Sequence, residues 1–87
     1  MNRSRYNDNR NVIYGALRRI RKQQGLTQEQ VVARLQVMNV NIDQPLYSKI
    51  ERNQRLVTDF ELACLCRALH VTERDLLADF YTQYPES

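Results

Sequence analysis

The side chains that could do chemistry in this chain are two cysteines, one histidine and a group of polar residues between positions 26 and 55. Cys64 and Cys66 lie two residues apart on a predicted helix, which turns their side chains about 200° from each other, so they share neither a metal ion nor a disulfide. His70 lies at a predicted helix end, where a capping role is favoured over that of a catalytic base. The sequence also contains no nucleophile paired with a base, no metal-ligand cluster and no phosphate-binding glycine loop. We therefore expect no enzyme, no metal and no cofactor.

The polar residues from Leu26 to Arg55 fall on two short predicted helices. Residues 26–30 (LTQEQ) open the first, and residues 43–52 (DQPLYSKIER) form the second. Two small helices held at a steep angle can place the second in the DNA major groove, which is about 12 Å wide. The segment is therefore interpreted as a helix-turn-helix pattern.

Five short helices are predicted around this segment, and no strand. Helix one is expected from Asn11 to Gln24, and Gly25 then ends it in the left-handed conformation that glycine enters without penalty. Three later helices begin with a threonine followed three residues on by a residue that completes a capping box, and another begins at Asp43 with Pro45 in its first turn. The capping pairs are Thr27 with Gln30, Thr58 with Glu61, and Thr72 with Asp75.

Hydrophobic periodicity predicts which residues form the core. Ile13, Ala16, Leu17 and Ile20 make one stripe on helix one, and Arg21 lies at its edge, where a charge needs a partner. On helix four, Cys66 falls with the core leucines, whereas Cys64 is expected to point away as a free, reduced thiol. Residues 36–42 are too many for a tight turn and too apolar for a free loop. We expect helix two to continue to about Met38, followed by an extended piece that turns Val40 and Ile42 inward.

Length and charge allow one domain with an uneven surface. The chain has 87 residues and a net charge of +3, with seven basic residues and one acid in the first 25 positions. Residues 73–87 instead carry four acids and one arginine, so we expect a basic face toward a polyanion and an acidic far end. The polar first ten residues are interpreted as a flexible basic arm, which either frays or lies in a DNA groove. No apolar run reaches the roughly 18 residues of a membrane span and no secretory signal is present, so a cytoplasmic protein is expected.

Several segments together resemble one known family. Residues 17–21 (LRRIR), 25–29 (GLTQE), 47–52 (YSKIER) and 68–71 (ALHV) occur in order at nearly the spacing found in Cro/C1-type (xenobiotic-response-element-type) helix-turn-helix domains. The chain resembles these DNA-binding domains of phage repressors and bacterial regulators from Val12 to Leu77. The resemblance implies an all-α, compact five-helix, lambda-repressor-like domain over residues 11–80, between the arm at 1–10 and a C-terminal tail at 81–87.

The resemblance also implies roles for individual residues. Gln44 would contact base edges, and its amide can bridge N6 and N7 of adenine. Pro45 would at most pack against a thymine methyl group, Ser48 would reach a base or a phosphate, and Lys49 would reach guanine or a phosphate. The remaining implied roles are phosphate contacts by Thr27, Gln28, Gln54 and Arg55, and a structural ion pair between Arg21 and Glu51.

The connection between the two helices departs from the family pattern. It is five residues longer than the usual tight turn, and Gln36 replaces the turn glycine. Asn39 and Asn41 in this connection either touch the DNA backbone or belong to a packed spacer. Asn53 and His70 replace cap glycines, which is tolerated because both residue types enter the left-handed region more readily than most.

Two functions agree with these residues. The first is a sequence-specific regulator of transcription, a repressor that binds double-stranded DNA as a homodimer. The second is an antitoxin or protein-interaction module of the same fold, with a partner contacting Phe80, Tyr81 and Tyr84. Those aromatic residues would otherwise form a dimer contact or cover the core.

Overall fold

The computed structural model describes residues 8–86, and within this range the chain forms five α-helices and no strand. The predicted all-α, five-helix fold is confirmed. Residues 1–7, most of the predicted basic arm, and Ser87 lie outside the described residues. None of the helices in the described range is long and apolar enough to cross a membrane. In chain order the helices are α1 (Tyr14–Gln23), α2 (Gln28–Val37), α3 (Gln44–Glu51), α4 (Asp59–Leu69) and α5 (Glu73–Gln83).

Side-chain caps determine where four of the helices begin. Thr27, Thr58 and Thr72 each form the complete capping box that the sequence predicts. The Asp43 side chain accepts a hydrogen bond from the Leu46 amide at 3.1 Å. A cap of this kind stabilises a helix by about 1 kcal/mol. These four helix starts were therefore correctly predicted from local sequence.

The start of α1 was predicted three residues too early, because it begins at Tyr14 rather than Asn11. The Asn11 side chain is used elsewhere. Its Nδ2 donates to the carbonyl oxygens of Ile50 (3.0 Å) and Arg55 (3.1 Å), and its Oδ1 accepts from the Ile13 amide at 3.1 Å. These contacts hold residues 11–13 in a turn that precedes the helix.

Left-handed residues follow four of the helices and reverse the chain. Gly25, Asn53 and His70 have φ angles of 71°, 60° and 56°, as their positions predict. The connection after α2 uses Asn39, with φ 62°, three residues beyond Gln36, which replaces the turn glycine of the family pattern. Asparagine enters this region at lower cost than most residues. The turn is therefore displaced along the chain.

The helices surround one apolar core. α1 packs against α3 and α5, α2 packs against α3 and α4, and α4 packs against α5. Val40 and Ile42 turn inward as predicted, with 4% and 1% of their surfaces exposed. Cys64 was predicted to point away from the core, but it is buried like Cys66, because α4 packs between α2 and α5. The largest fully buried side chains are Tyr47, Leu17, Leu35, Ile42, Ile50, Leu65, Leu69, Leu76 and Val31.

Candidate nucleic-acid interface

The short helix α3 has an apolar inner face and a polar outer face. Tyr47 and Ile50 are completely buried, and both contribute to the core. The four residues expected to contact bases lie one and four positions apart, a spacing that places them on a single side of an α-helix. Each of them is exposed or half-exposed. They are Gln44, Pro45, Ser48 and Lys49.

A buried ion pair joins the end of α3 to α1. Arg21 Nε and Nη2 donate to Glu51 Oε2 and Oε1 at 2.6 and 3.0 Å, and Arg21 Nη1 donates to the Leu26 carbonyl oxygen at 2.8 Å. The two side chains are only 9% and 2% exposed. The guanidinium thereby satisfies both carboxylate oxygens and the carbonyl at the entrance to α2. The pair fixes α3 against α1.

The surroundings of Glu51 keep it ionised. Burial alone raises the pKa of Glu51, but hydrogen bonding from Arg21, together with contributions from Tyr47 and Gln28, outweighs burial and lowers it. The Tyr47 pKa is raised, chiefly by burial and then by the nearby carboxylate. The Tyr47 hydroxyl makes no well-aligned hydrogen bond within residues 8–86, although it lies close enough to Glu51 for each group to influence the other. The carboxylate is thus a permanent acceptor at neutral pH.

A chain of amide hydrogen bonds continues from this ion pair to the surface of α3. Gln28 Nε2 donates to Glu51 Oε1 at 3.0 Å, and Gln44 Nε2 donates to Gln28 Oε1 at 2.8 Å. Both glutamines are half-buried. The structure thus brings together Gln28 and Gln44, which the sequence placed at different DNA groups, and connects them to the pair Arg21–Glu51.

The start of α2 offers donors next to these glutamines. The Thr27 oxygen accepts from the Gln30 amide at 3.1 Å, which leaves the hydroxyl proton available to an outside acceptor. The first amides of α2 also lack partners within the helix, as at every helix start. Gln28 keeps one side-chain N–H, because its other N–H and its oxygen are used by Glu51 and Gln44. This helix end can therefore donate to a phosphate.

Gln54 and Arg55, which follow α3, are placed differently from each other. Gln54 is exposed, and with Arg10 it lines an open groove of about 490 Å³. Arg55 Nη1 and Nη2 bind the two oxygens of Glu61, each at 3.0 Å, and this hydrogen bonding holds the Glu61 pKa below its ordinary value. A phosphate would have to compete with that carboxylate for Arg55.

A second open groove, of about 640 Å³, lies between α1 and the end of α3. Its lining includes the exposed cations Arg18, Lys22 and Arg52, together with Tyr14. The sequence predicts a basic face from the first 25 residues, which include Arg18 and Lys22, and gives Arg52 no role. The four-residue spacing of Arg18 and Lys22 places both on one helix face and could have indicated this cationic groove from the sequence. Only the fold brings Arg52 beside them.

The comparisons with known proteins agree with this architecture. The model of a family described as a helix-turn-helix domain matches residues 15–80. The chain belongs to the helix-turn-helix domain family. The helix-turn-helix chain is also similar in structure to the clp gene regulator ClgR from C. glutamicum, with a TM-score of 0.73 and 23% sequence identity. That alignment covers 90% of this chain and 95% of the other, and it shows a shared fold. No curated protein matches the chain.

The helix-turn-helix domain also depends on two asparagines that sequence reasoning did not connect. Asn53 Oδ1 accepts from the backbone amides of Arg10 (2.9 Å) and Asn11 (3.1 Å), and Asn53 Nδ2 donates to Asn9 Oδ1 at 2.6 Å. The contacts of Asn11 with Ile50 and Arg55 lie beside them. Residues 9–11 thus hold the segment that follows α3, and contact with the domain begins before residue 11.

The aromatic residues at the other end of the helix-turn-helix domain lie on α5 and just after it. The Phe80 ring centroid is 5.3 Å from that of Tyr81, in an edge-to-face arrangement, and 5.3 Å from that of Tyr84. Tyr81 is 60% exposed. These rings form a cluster, and α5 continues past residue 80, where the sequence placed the end of the domain, to Gln83.

Proposed function

We propose that this protein is a sequence-specific DNA-binding regulator of transcription, of the Cro/C1 type, that inserts α3 into the major groove. The observation that carries this proposal is the outer face of α3, which presents an amide, a hydroxyl and an amine. Cations line the groove between α1 and the end of α3 and the groove that includes Gln54. Base edges in the major groove present the matching acceptors and donors. Family membership over residues 15–80 supports it.

In this proposal the contacts divide into two kinds. Gln44 reads adenine, Pro45 packs against a thymine methyl group, and Ser48 and Lys49 reach a base edge or a phosphate. The phosphate contacts fix the position of α3 and are the same for every sequence. They come from Thr27, Gln28, Gln54 and Arg55, with Arg18, Lys22 and Arg52 added by the groove between α1 and α3.

The regulator is proposed to act as a homodimer and as a repressor. A two-fold dimer places two copies of α3 in successive major grooves, so half-sites would be about 34 Å apart. A dimer seated on such a site covers the DNA and blocks access to it.

Selection of bound fragments from random double-stranded DNA at low salt tests the proposal. We expect inverted half-sites at a fixed spacing and affinity that falls steeply with salt, because each neutralised phosphate releases counterions. Gln44→Ala should weaken the free energy of DNA binding by about 1 to 3 kcal/mol, and at one base position only. Gln83→Ala removes an exposed glutamine from α5 and should leave the selected sequence unchanged. No enrichment, or an unchanged preference in Gln44→Ala, would reject α3 as the reading helix.

A protein partner at the aromatic cluster is the second candidate. Exposed Tyr81, next to Phe80 and Tyr84, is the observation that favours it, since aromatic residues are enriched in interfaces. An antitoxin would copurify with the product of a neighbouring gene, and Tyr81→Ser would break that complex while DNA selection stayed intact. Copurification unaffected by Tyr81→Ser would place the partner elsewhere.

A further inference from the structure

One continuous path of hydrogen bonds connects the core to the proposed reading surface. It starts at Arg21, passes through Glu51 and Gln28, and ends at Gln44, with donor–acceptor distances between 2.6 and 3.0 Å. Its inner end is an ion pair that is almost completely buried, and its outer end is half-exposed at the start of α3. The path therefore joins a rigid charged group to the side chain proposed to read a base.

The charge of Glu51 fixes the direction of every bond along this path. An ionised carboxylate only accepts hydrogen bonds, so Gln28 must turn its NH2 group toward Glu51. The Gln28 oxygen is then the atom that faces Gln44, and an oxygen can only accept. Gln44 must consequently direct an N–H of its own NH2 group toward Gln28. Neither amide can be flipped without placing two acceptors or two donors against each other.

The orientation leaves a defined pattern on the outer side of Gln44. Its Oε1 accepts no hydrogen bond within residues 8–86, and the second hydrogen of Nε2 remains for an outside acceptor. This combination of one acceptor and one donor matches adenine, which presents the N6 donor and the N7 acceptor in the major groove. Guanine presents acceptors at both O6 and N7, so the fixed Gln44 oxygen would face an acceptor there. A freely rotating amide could instead turn its NH2 group toward guanine.

We propose that Glu51 is a positioning residue for specificity: acting through Gln28, it fixes the orientation of the Gln44 amide and makes Gln44 prefer adenine to guanine. The inference rests on the proposed function, because it assigns to α3 a base that it reads. It gives Glu51 a role beyond fold support, and Gln28 a role beyond phosphate contact.

Two DNA duplexes test the proposal. One carries the selected site, and the other differs by A·T to G·C at the position that Gln44→Ala identifies. The wild-type chain should prefer the adenine duplex by about 5- to 150-fold, the range provided by one bidentate pair. Gln28→Met keeps the length of the side chain and leaves the pair Arg21–Glu51 in place, but it removes both amide contacts. The ratio of the two affinities should fall by at least about fivefold.

Gln54→Met is the matched control, because Gln54 is an exposed glutamine outside the path and is proposed to contact phosphate. This variant should weaken binding to both duplexes equally and leave the ratio of the two affinities unchanged, as the loss of any sequence-independent contact does. If Gln28→Met behaves like Gln54→Met, with both affinities lowered and the ratio kept, Gln28 contacts phosphate only and the positioning role is wrong.

Glu51→Gln tests the origin of the orientation, because an amide in place of the carboxylate both donates and accepts and no longer forces Gln28 to face one way. Circular dichroism first establishes whether this variant is folded. A folded variant should show the same drop in ratio as Gln28→Met, whereas an unchanged ratio would exclude Glu51. If it does not fold, the double variant Arg21→Met with Glu51→Met, which leaves no buried charge alone, replaces it in the same measurement. A wild-type chain without any adenine preference would instead count against the proposed contact of Gln44 itself.

Discussion

Two arginines of α1, Arg19 and Arg21, form similar ion pairs in very different surroundings. Each binds a carboxylate through two hydrogen bonds, Arg19 with Asp79 of α5 and Arg21 with Glu51 of α3. The side chains of the first pair are 48% and 44% exposed, whereas those of the second are 9% and 2% exposed. Geometry alone therefore does not distinguish the two regions, but burial does.

This difference in burial accompanies a difference in connection: the Arg21–Glu51 pair is linked by hydrogen bonds to the proposed reading surface. Water competes with the Arg19–Asp79 pair, so it contributes between about 0 and 1 kcal/mol. At Arg21–Glu51 both charges have left water, and each depends on the other. Glu51 has a further acceptor role toward Gln28, which gives this pair a connection to Gln44. The region between α1 and α3 thus combines fold support with a polar surface, while the Arg19–Asp79 pair between α1 and α5 stays exposed to solvent.

The largest expected effect is that of Glu51→Ala on stability. Removing one partner leaves the Arg21 charge buried and unpaired, which costs about 3 to 5 kcal/mol of the free energy of unfolding. Asp79→Ala, which breaks the exposed pair, should cost no more than about 1 kcal/mol. Urea denaturation followed by circular dichroism measures both. Equal losses for the two variants would show that burial does not separate the two regions.

Replacing both partners of the buried pair should separate stability from specificity. In the double variant Arg21→Met with Glu51→Met no buried charge is left alone, so it should recover about 2 kcal/mol or more of the stability that Glu51→Ala loses. The adenine preference should stay low, because no acceptor orients Gln28. The same urea titration and the two-duplex binding measurement give both values. Recovery of the adenine preference together with stability would mean that Glu51 supports only the fold.

Acid should act on the buried pair through the ionisation of Glu51. Its pKa in the folded protein lies below the ordinary value of 4.5, so the unfolded chain takes up the proton first as the pH falls. The stabilisation is thus present above about pH 4.5 and is lost as the pH falls through the folded pKa. Glu61, bound to Arg55, has a pKa shifted in the same direction. Between pH 7 and pH 3 the temperature of thermal unfolding should fall less in Glu51→Gln than in the wild type. An equal fall in the two proteins would contradict the assignment of this acid sensitivity to Glu51.

The smallest expected effect is the salt dependence of the exposed pair. The cost of Asp79→Ala, already below about 1 kcal/mol, should shrink toward zero in 1 M salt, where the screening length is about 3 Å. The cost of Glu51→Ala should change much less, because ions do not reach a buried pair. Denaturation by urea at low and high sodium chloride measures both values. If the stability cost of Asp79→Ala did not depend on salt, the exposed pair would not be screened and this difference between the two pairs would be wrong.

Most of the fold could be predicted from local sequence. Capping boxes at Thr27, Thr58 and Thr72 are decided by residues three positions apart, so their helices are predictable without tertiary information. The start of α1 was wrong because Asn11 bonds to residues about 40 positions away. The exposure of Cys64 was wrong because a helical wheel assumes one buried face, whereas α4 packs between two helices.

The candidate site divides in the same way. The residue types at Gln44, Ser48 and Lys49 and their common helix face follow from the sequence, because helical spacing alone aligns them. The groove that adds Arg52 to Arg18 and Lys22 does not, because it forms only when α1 and α3 pack together. The DNA contacts of these residues stay predictions.

The sequence by itself determined five helices, the caps of four of them, the apolar stripes and the polar outer face of α3, since each depends on residues within one or two helical turns. It also pointed to Arg21 as a charge in need of a partner. Only the tertiary structure decided that Glu51 serves Gln28 as well as Arg21, and that Gln44 completes the path. The direction of the hydrogen bonds along this path depends on three helices together. The relative orientation of residues that are distant in sequence is not encoded in any local pattern.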